Sequence, residues 1–152
     1  MMKRKKVLFL CTANSARSQI AEALVNHDLG DRFAAFSAGT APAAPRQEAL
    51  EVLAELGIDH AQARSKSMDE FAGQTFDFVI TLCDGANETC PLFFGGVRRE
   101  HIGFPDPALA TGTPDEILTV FRHIRDDIRK TVEGFLLNAV ARESKQGQGG
   151  RS

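Results

Sequence analysis

The chain has 152 residues, of which 43% are hydrophobic and 25% are charged. A chain of this length and composition can bury one core without disulfide bonds or metal ions to stabilise it. Its formal net charge of −2 argues against a protein that binds nucleic acid or an anionic membrane. The basic start Lys3–Lys6 precedes an apolar run too short for a signal peptide or a membrane span. We therefore expect a cytoplasmic protein whose cysteines rest as thiols.

Four segments predict β-strands, because they are apolar, β-branched or aromatic and too short for helices. In chain order they are Lys5–Leu10, Phe33–Ser37, Phe76–Cys83 and Glu100–Phe104.

Helices are predicted between and after these strands from apolar residues at helical spacing. The first has Ile20, Ala21, Leu24 and Val25 on one face, and the second has Ala49, Val52, Leu53 and Leu56 between Pro45 and Gly57. Ser67–Glu70 has the spacing of a capping box and predicts a short third helix. A second capping box, Thr113–Glu116, begins a long helix with the stripe Ile117, Val120, Phe121, Ile124, Ile128, Val132 and Phe135.

Alternating strands and helices predict one α/β domain with a parallel sheet in a three-layer arrangement. We place this domain at residues 1–143 and expect a disordered tail at 144–152, where glycine and polar residues dominate.

The segment from Cys11 to Arg17 joins the first strand to the first helix. Parallel sheets bind ligands beyond the carboxyl ends of their strands, and the N–H groups of a helix N-terminus favour a tetrahedral oxyanion. Arg17 would bind two oxygens of such an anion, and the same positive field would favour the thiolate form of Cys11. Asn14 suits a left-handed turn, and Ser15 and Ser18 could donate to the thiolate or the anion. The plainer alternative is a small buried cysteine and a surface arginine.

This segment resembles a known signature. VLFLCTANSARSQIAEAL (Val7–Leu24) is similar to the loop of the low-molecular-weight tyrosine phosphatase superfamily, and within it to the thioredoxin-coupled arsenate reductases. The similarity extends to about Phe135. It implies a four-stranded parallel sheet flanked by helices, with arsenate as substrate and thioredoxin as electron donor. No resident cofactor is implied. The oxyanion-binding residues would be Thr12, Ala13, Asn14, Ser15, Ala16, Arg17 and Ser18.

Asp106 lies between two prolines in the segment GFPDPA, where the flanking backbone is restrained. The resemblance implies that Asp106 is the general acid that protonates the departing oxygen. Without the resemblance, the sequence indicates only an ordinary turn residue at Asp106.

Cys83 and Cys90 are separated by six small or polar residues, a gap longer than that of usual zinc knuckles. Cys83 lies at the same sheet edge as Cys11 and could reach it, and Cys90 could then reach Cys83. The order of attack, Cys11 then Cys83 then Cys90, is implied by the resemblance. Two inert core cysteines are the alternative.

Asn14, Glu22 and Ser37 match positions that help bind a potassium ion in some relatives. A further acidic position of that site is occupied here by Lys66. We hypothesise that the Lys66 ammonium replaces the ion. Alternatively, Glu22 and Lys66 are solvated surface charges.

The main rival is a phosphatase that hydrolyses phosphomonoesters through a phosphocysteine. The chain has no Tyr or Trp to clamp an aryl group, although Phe93, Phe94 and Phe104 could replace them in part. A non-catalytic arsenite or metal sensor and a phosphocarrier are further alternatives. A glutaredoxin or a low-molecular-weight thiol could stand in for thioredoxin.

Overall fold

The structure, a computed structural model, describes residues 3–84, 93 and 95–149, with side chains described as far as Glu143. The strands are β1 (Lys5–Cys11), β2 (Phe33–Gly39), β3 (Phe76–Thr81) and β4 (Gly96–His101). The α-helices are α1 (Arg17–Asp28), α2 (Gln47–Ala54) and α3 (Pro114–Gly149). Two short 3-10 helices cover Met68–Phe71 and Pro107–Leu109.

The four strands form one parallel sheet, as expected from the sequence and its resemblance, and their order is β2-β1-β3-β4. β1 is central and carries the apolar residues Val7, Leu8, Phe9 and Leu10, which are completely buried. The register pairs Cys11 with Gly39 at the carboxyl ends of β1 and β2. The loop that follows Cys11 therefore begins where three neighbouring strands end.

β4 begins at Gly96, four residues before the predicted fourth strand, Glu100–Phe104. Its sequence GVRREH is mostly polar because β4 lies at the edge of the sheet and its odd-numbered residues are exposed. Charged side chains on an edge strand are common because they discourage pairing with another chain. The apolar residues Ile102 and Phe104 follow the strand and pack against the main core.

The two faces of the sheet are covered differently. All three α-helices pack with Val7, Phe9, Phe78 and Ile80 in the main core on one face. On the other, the 3-10 helix Met68–Phe71 contributes to a smaller cluster of aromatic side chains, Phe36, Phe71, Phe76 and Phe93, with ring centroids 5.7–6.0 Å apart.

α1 differs from the one-sided amphipathic helix that the sequence predicts. Gln19 and Ala23 are buried together with the predicted apolar face, and Arg17 and Ser18 in the first turn are buried as well. A fully buried helix end requires partners for its polar side chains. Asn14 in the loop before the helix bonds to Ser18 and Gln19, whereas Arg17 donates to the carbonyl of Phe104.

Both predicted capping boxes are present. Thr113 N–H donates to Glu116 and Glu116 N–H to the Thr113 hydroxyl, and Ser67 accepts from the N–H of Asp69. In α3, Val120 is 37% exposed, so its place in the predicted apolar stripe is wrong, whereas Leu136 and Ala139 extend the stripe. Val120 lies one residue, about 100°, round the helix from the buried Phe121.

α3 runs to Gly149, into the segment for which the sequence predicts a disordered tail. The boundary at residue 144 stays a prediction. Within the described part of the chain, no helix combines the length and apolarity needed to cross a membrane.

A pair of carboxyl groups joins the end of α1 to α3. Burial raises the pKa of Asp28, but hydrogen bonds with Glu133, Arg129 and His27 outweigh it and lower the pKa to about 2. Burial and the hydrogen bond to Asp28 raise the pKa of Glu133 to about 8. Arg129 adds two hydrogen bonds to Asp28, at 2.8 and 3.0 Å.

This pair predicts a pH-dependent stability. Glu133 keeps its proton in the folded state up to about pH 8, whereas the unfolded chain loses it near pH 4.5. The folded state therefore loses stability as the pH rises between these values. Glu133→Gln has no carboxyl group at this position, so this loss of folding stability is absent. Between pH 5 and pH 9, we therefore expect the Tm of the variant to decrease by roughly 2–4 °C less than the Tm of the unaltered chain. Thermal denaturation followed by circular dichroism measures this. The exposed Glu143→Gln is the control, and parallel curves for all three chains would contradict the prediction.

Candidate active site

The loop between β1 and α1 has its carbonyl groups held from outside. Three N–H groups of the segment 41–46 donate to it at 2.8–3.0 Å, Ala41 to Thr12, Ala43 to Ala13 and Arg46 to Ser15. In a trans peptide, the carbonyl of one residue and the N–H of the next point in opposite directions. The N–H groups that follow these carbonyls are therefore turned toward the inside of the loop. Such a ring of amides suits a tetrahedral anion.

Gly39 permits this close approach. A Cβ at this position would lie 2.4 Å from the Thr12 carbonyl oxygen and 2.9 Å from the Asn14 nitrogen, distances that no side chain could occupy. Sequence reasoning did not single out Gly39. The available signal was a glycine directly after a strand in AGT, where a close backbone approach is one common reason for glycine.

Asn14 adopts the left-handed conformation expected of it, with φ 51°. Its side chain holds the loop together. The Oδ1 atom accepts from the Lys66 N–H at 2.8 Å and from Gln19 Nε2 at 3.1 Å, and Nδ2 donates to Ser18 Oγ at 2.7 Å. Asn14 is completely buried, so these bonds fix the turn in the interior.

Cys11 is a free thiol, 2% exposed, at the base of the loop. Its Sγ lies 2.9 Å from Ser18 Oγ. Because Ser18 Oγ already accepts from Asn14, its own hydrogen is available for the sulfur. A hydroxyl donor directed at the sulfur would stabilise its negative charge when the cysteine acts as a nucleophile.

Arg17 brings the predicted acid to the loop. Its Nη1 donates to the carbonyl of Phe104 at 3.1 Å, and its Nη2 lies 3.7 Å from Asp106 Oδ2. The Arg17 side chain is 4% exposed and that of Asp106 is 26% exposed. The other Asp106 oxygen accepts from the N–H of Ala108, which orients the carboxyl group. The structure thus brings the Asp106 carboxyl group, which is distant in the sequence, to the guanidinium at the end of the loop that begins with Cys11.

Cys83 is buried two residues beyond the end of β3, next to β1. The N–H of Leu82 donates to the Leu10 carbonyl, so the pairing of the two strands continues to the residue before Cys83. Cys83 is disulfide-bonded, whereas Cys11 is not. Cys90 lies outside the described residues.

Glu22, Ser37 and Lys66 lie together behind the loop. Glu22 Oε1 accepts from Ser37 Oγ at 3.1 Å and lies 3.9 Å from Lys66 Nζ. Burial raises the pKa of Glu22, while Lys66 and Ser37 act in the opposite direction. Among the described residues, no three or more His, Cys, Asp or Glu side chains are grouped to hold a metal ion.

Besides Gly39, the sequence did not predict the roles of Gln19 and His60 at the site. Gln19 Nε2 donates to the backbone and side-chain oxygens of Asn14, and Gln19 Oε1 lies 2.9 Å from His60 Nε2. Since this amide oxygen can only accept, His60 Nε2 carries a proton. Burial and the charge of Lys66 lower the pKa of His60. The only sequence signal was Gln19 itself, a polar residue in a helix that is otherwise apolar at its start.

The hydrogen bond from Ser18 to Cys11 predicts a reactivity. In Ser18→Ala, we expect alkylation of Cys11 by iodoacetamide at pH 7 to slow about tenfold, because the thiolate loses its hydroxyl donor. At pH 10 the rates should converge. The measurement uses a Cys83→Ser/Cys90→Ser background, with Ser67→Ala as control. Equal rates at pH 7 would show that the hydroxyl does not stabilise the thiolate.

Comparison with known proteins agrees with this geometry. Residues 6–146 match the family model for low molecular weight phosphotyrosine protein phosphatases. An arsenate reductase of Halalkalibacterium halodurans is 40% identical over 134 residues, which cover 88% of this chain and 96% of that protein.

The similar solved structures include the following two. One is an arsenate reductase in the phosphate-binding state, with TM-score 0.73, 29% identity, and coverage of 88% of this chain and 98% of that one. The other is a thioredoxin-dependent arsenate reductase of Corynebacterium glutamicum, with TM-score 0.60, 30% identity, and coverage of 89% and 63%. The resemblance carried by the signature loop is thus confirmed. The chain belongs to the low molecular weight phosphotyrosine protein phosphatase family, and the relatives that it resembles over most of their length include arsenate reductases.

Proposed function

We propose that this protein is an arsenate reductase of the cytoplasm that receives its electrons from thioredoxin. The observation that carries the proposal is the position of a buried, disulfide-bonded Cys83 at the sheet edge where Cys11, Arg17 and Asp106 form an oxyanion site. A phosphatase needs the oxyanion site alone. A reductase of this kind needs, in addition to the oxyanion site, a second redox-active cysteine at the same edge.

In the first step, arsenate would bind to the loop amides and to the Arg17 guanidinium. The Cys11 thiolate attacks arsenic, a sulfur–arsenic bond forms, and one oxygen departs as water after Asp106 protonates it. Arg17 lies close to Asp106, so the same side chain can bind the anion and hold the acid in place.

In the second step, the Cys83 thiolate attacks the sulfur of Cys11. A Cys11–Cys83 disulfide forms, the sulfur–arsenic bond breaks, and its electron pair remains on arsenic, which leaves as arsenite. Cys90 then attacks Cys83, so that Cys11 leaves as thiolate and a Cys83–Cys90 disulfide remains for thioredoxin. The chain has three cysteines, and Cys11 is free while Cys83 is bonded, which supports this final pairing.

The family relation favours a phosphatase as the second candidate. The mouth of the site speaks against it as the main activity. The turn after Asp106 is the apolar, non-aromatic Pro107–Leu109, and the segment 41–46 contains alanine and proline but no aromatic residue. Phe93 and Phe104 are each 7% exposed and belong to the two cores, so they do not replace an aryl clamp, and Phe94 lies outside the described residues.

Coupled turnover tests the proposal. The reduced protein is mixed with arsenate, thioredoxin, thioredoxin reductase and NADPH, and NADPH loss is followed. We expect sustained turnover that Cys11→Ser, Cys83→Ser and Cys90→Ser each abolish, because each removes one thiol of the relay. Cys90→Ser should still release about one arsenite per chain, since the first disulfide can form without it. Hydrolysis of an aryl phosphate that requires only Cys11 and Arg17, without arsenate turnover, would instead identify a phosphatase.

We also propose that Lys66 replaces a potassium ion behind the loop. Its ammonium donates to the Arg64 carbonyl at 2.9 Å and faces the Glu22 carboxylate, and its backbone N–H binds Asn14. The cluster thus contains its own positive charge.

Turnover should therefore be equal in potassium and sodium chloride at the same ionic strength. In Lys66→Ala, which removes the internal cation, we expect the rate to depend on potassium. A steady-state titration with each salt measures both, and strong activation of the unaltered chain by potassium over sodium would contradict the proposal.

A further inference from the structure

A chain of hydrogen bonds between side chains connects His60 to the sulfur of Cys11. His60 Nε2 lies 2.9 Å from Gln19 Oε1, and Gln19 Nε2 donates to Asn14 Oδ1 at 3.1 Å. Asn14 Nδ2 donates to Ser18 Oγ at 2.7 Å, and Ser18 Oγ lies 2.9 Å from Cys11 Sγ. The three middle members, Gln19, Asn14 and Ser18, are completely buried, so these hydrogen bonds are made away from solvent.

A backbone group fixes the direction of the chain at Asn14. The backbone N–H of Lys66 can only donate, and it donates to Asn14 Oδ1 at 2.8 Å. The other end of this amide, Nδ2, therefore faces Ser18. Because Nδ2 can only donate, Ser18 Oγ accepts, and the hydrogen of the Ser18 hydroxyl is left for the sulfur of Cys11.

Backbone groups fix the direction at Gln19 in the same way. Its Nε2 faces the carbonyl oxygens of Asn14 at 3.0 Å and Arg64 at 3.1 Å, which can only accept. The oxygen of the Gln19 amide therefore faces His60, whose Nε2 must carry the hydrogen of that bond. Glu22 Oε2 lies 3.6 Å from the same nitrogen, which is too long for a hydrogen bond.

Every hydrogen in the chain consequently points toward Cys11. Successive hydrogen bonds that point the same way polarise one another, so the last hydroxyl is a stronger donor than an isolated serine. A negative charge on the sulfur is the partner that such a donor favours. The chain conducts no proton, because the two amides in its middle neither gain nor lose one near neutral pH.

We propose that Gln19 and His60 are positioning residues for the Cys11 nucleophile. Acting through Asn14, they direct the Ser18 hydroxyl at the sulfur and stabilise the thiolate. This deepens the proposed function and rests on it, because Cys11 is the thiol that attacks arsenate there. The His60–Gln19 bond joins residues 41 positions apart, so the segment before the 3-10 helix Met68–Phe71 contributes to the reactivity of the loop.

Alkylation of Cys11 tests the role of Gln19 without arsenate or thioredoxin. The background is reduced Cys83→Ser/Cys90→Ser protein, in which Cys11 is the remaining cysteine of the three. Gln19→Met keeps the length of the side chain and removes the donor to Asn14. We expect it to slow the reaction with iodoacetamide at pH 7 about fivefold, the effect of one lost hydrogen bond. At pH 10, where the thiol ionises without this help, the rate should equal that of the parent.

Two substitutions test the far end of the chain. His60→Phe keeps a ring and removes the N–H, and we expect it to slow alkylation at pH 7 about twofold, because it removes only the polarisation of the next bond. His60→Gln can donate from a similar position and should recover the parent rate. A rate for His60→Gln as low as that for His60→Phe would show that this N–H does not act on the thiol.

Combination with Ser18→Ala separates positioning from a structural role. The proposed effect reaches the sulfur only through the Ser18 hydroxyl, so neither Gln19→Met nor His60→Phe should slow the reaction further once Ser18 is alanine. A side chain that merely holds the loop in shape would slow it by the same factor with or without the hydroxyl. If Gln19→Met does not fold, His60→Phe provides the same comparison.

Matched substitutions at exposed positions serve as controls. Gln74→Met and His123→Phe should leave both rates unchanged. Any of three results would overturn the proposal. They are rates equal to the parent's at pH 7 for both Gln19→Met and His60→Phe, slowing of the same size at pH 7 and pH 10, and full additivity with Ser18→Ala.

Failure of this proposal is distinct from failure of the proposed function. A protein that reduces arsenate while its Cys11 alkylation is independent of Gln19 and His60 refutes only the positioning role. If the two residues control Cys11 but no arsenate turnover occurs, the proposed reductase activity is wrong and the chain prepares Cys11 for another reaction.

Discussion

The capture of loop carbonyls by a neighbouring stretch of backbone is the constraint on which the site depends. The N–H groups of 41, 43 and 46 hold three carbonyls from outside, and the trans peptide then turns the following amides inward. Gly39 allows the approach, and the left-handed Asn14 closes the turn. Without this arrangement, Cys11 would be a small apolar residue at the end of a strand. With it, the thiol lies beneath a cradle of N–H groups.

Arg17 links this cradle to the opposite wall. It is buried, donates to the carbonyl of Phe104 and lies beside Asp106, so it connects the proposed anion site to the proposed acid. Because β1 and β3 are adjacent and parallel, Cys83 emerges at the same edge. The proposed oxyanion site and Cys83 are therefore neighbours because of the strand order.

The sequence predictions that the structure confirms depend on residues close together in the chain. The Thr113–Glu116 capping box, the apolar β1 and the left-handed Asn14 depend on residues a few positions apart, and each is found in the structure. The start of β4 was missed because an edge strand needs no apolar face toward solvent. Gly39, Gln19 and His60 were missed because their roles depend on contacts with residues distant in the sequence. Spacing along the chain does not reveal such contacts. Spacing also placed Val120 in the apolar stripe of α3, although this side chain is exposed.

In many binding loops the same groups hold the loop in place and shape the rim of the site. In the segment 41–46 the backbone does the first and the side chains do the second. Its hold on the anion loop uses backbone N–H groups of Ala41, Ala43 and Arg46, while Pro42 and Pro45 occupy positions from which no N–H is required. Side chains at 41–45 can therefore change in size and polarity without releasing the loop, provided that proline does not enter positions 41, 43 or 46. A lineage, or an engineer, could reshape the rim of this site for a different leaving group while the thiol and its cradle remain intact.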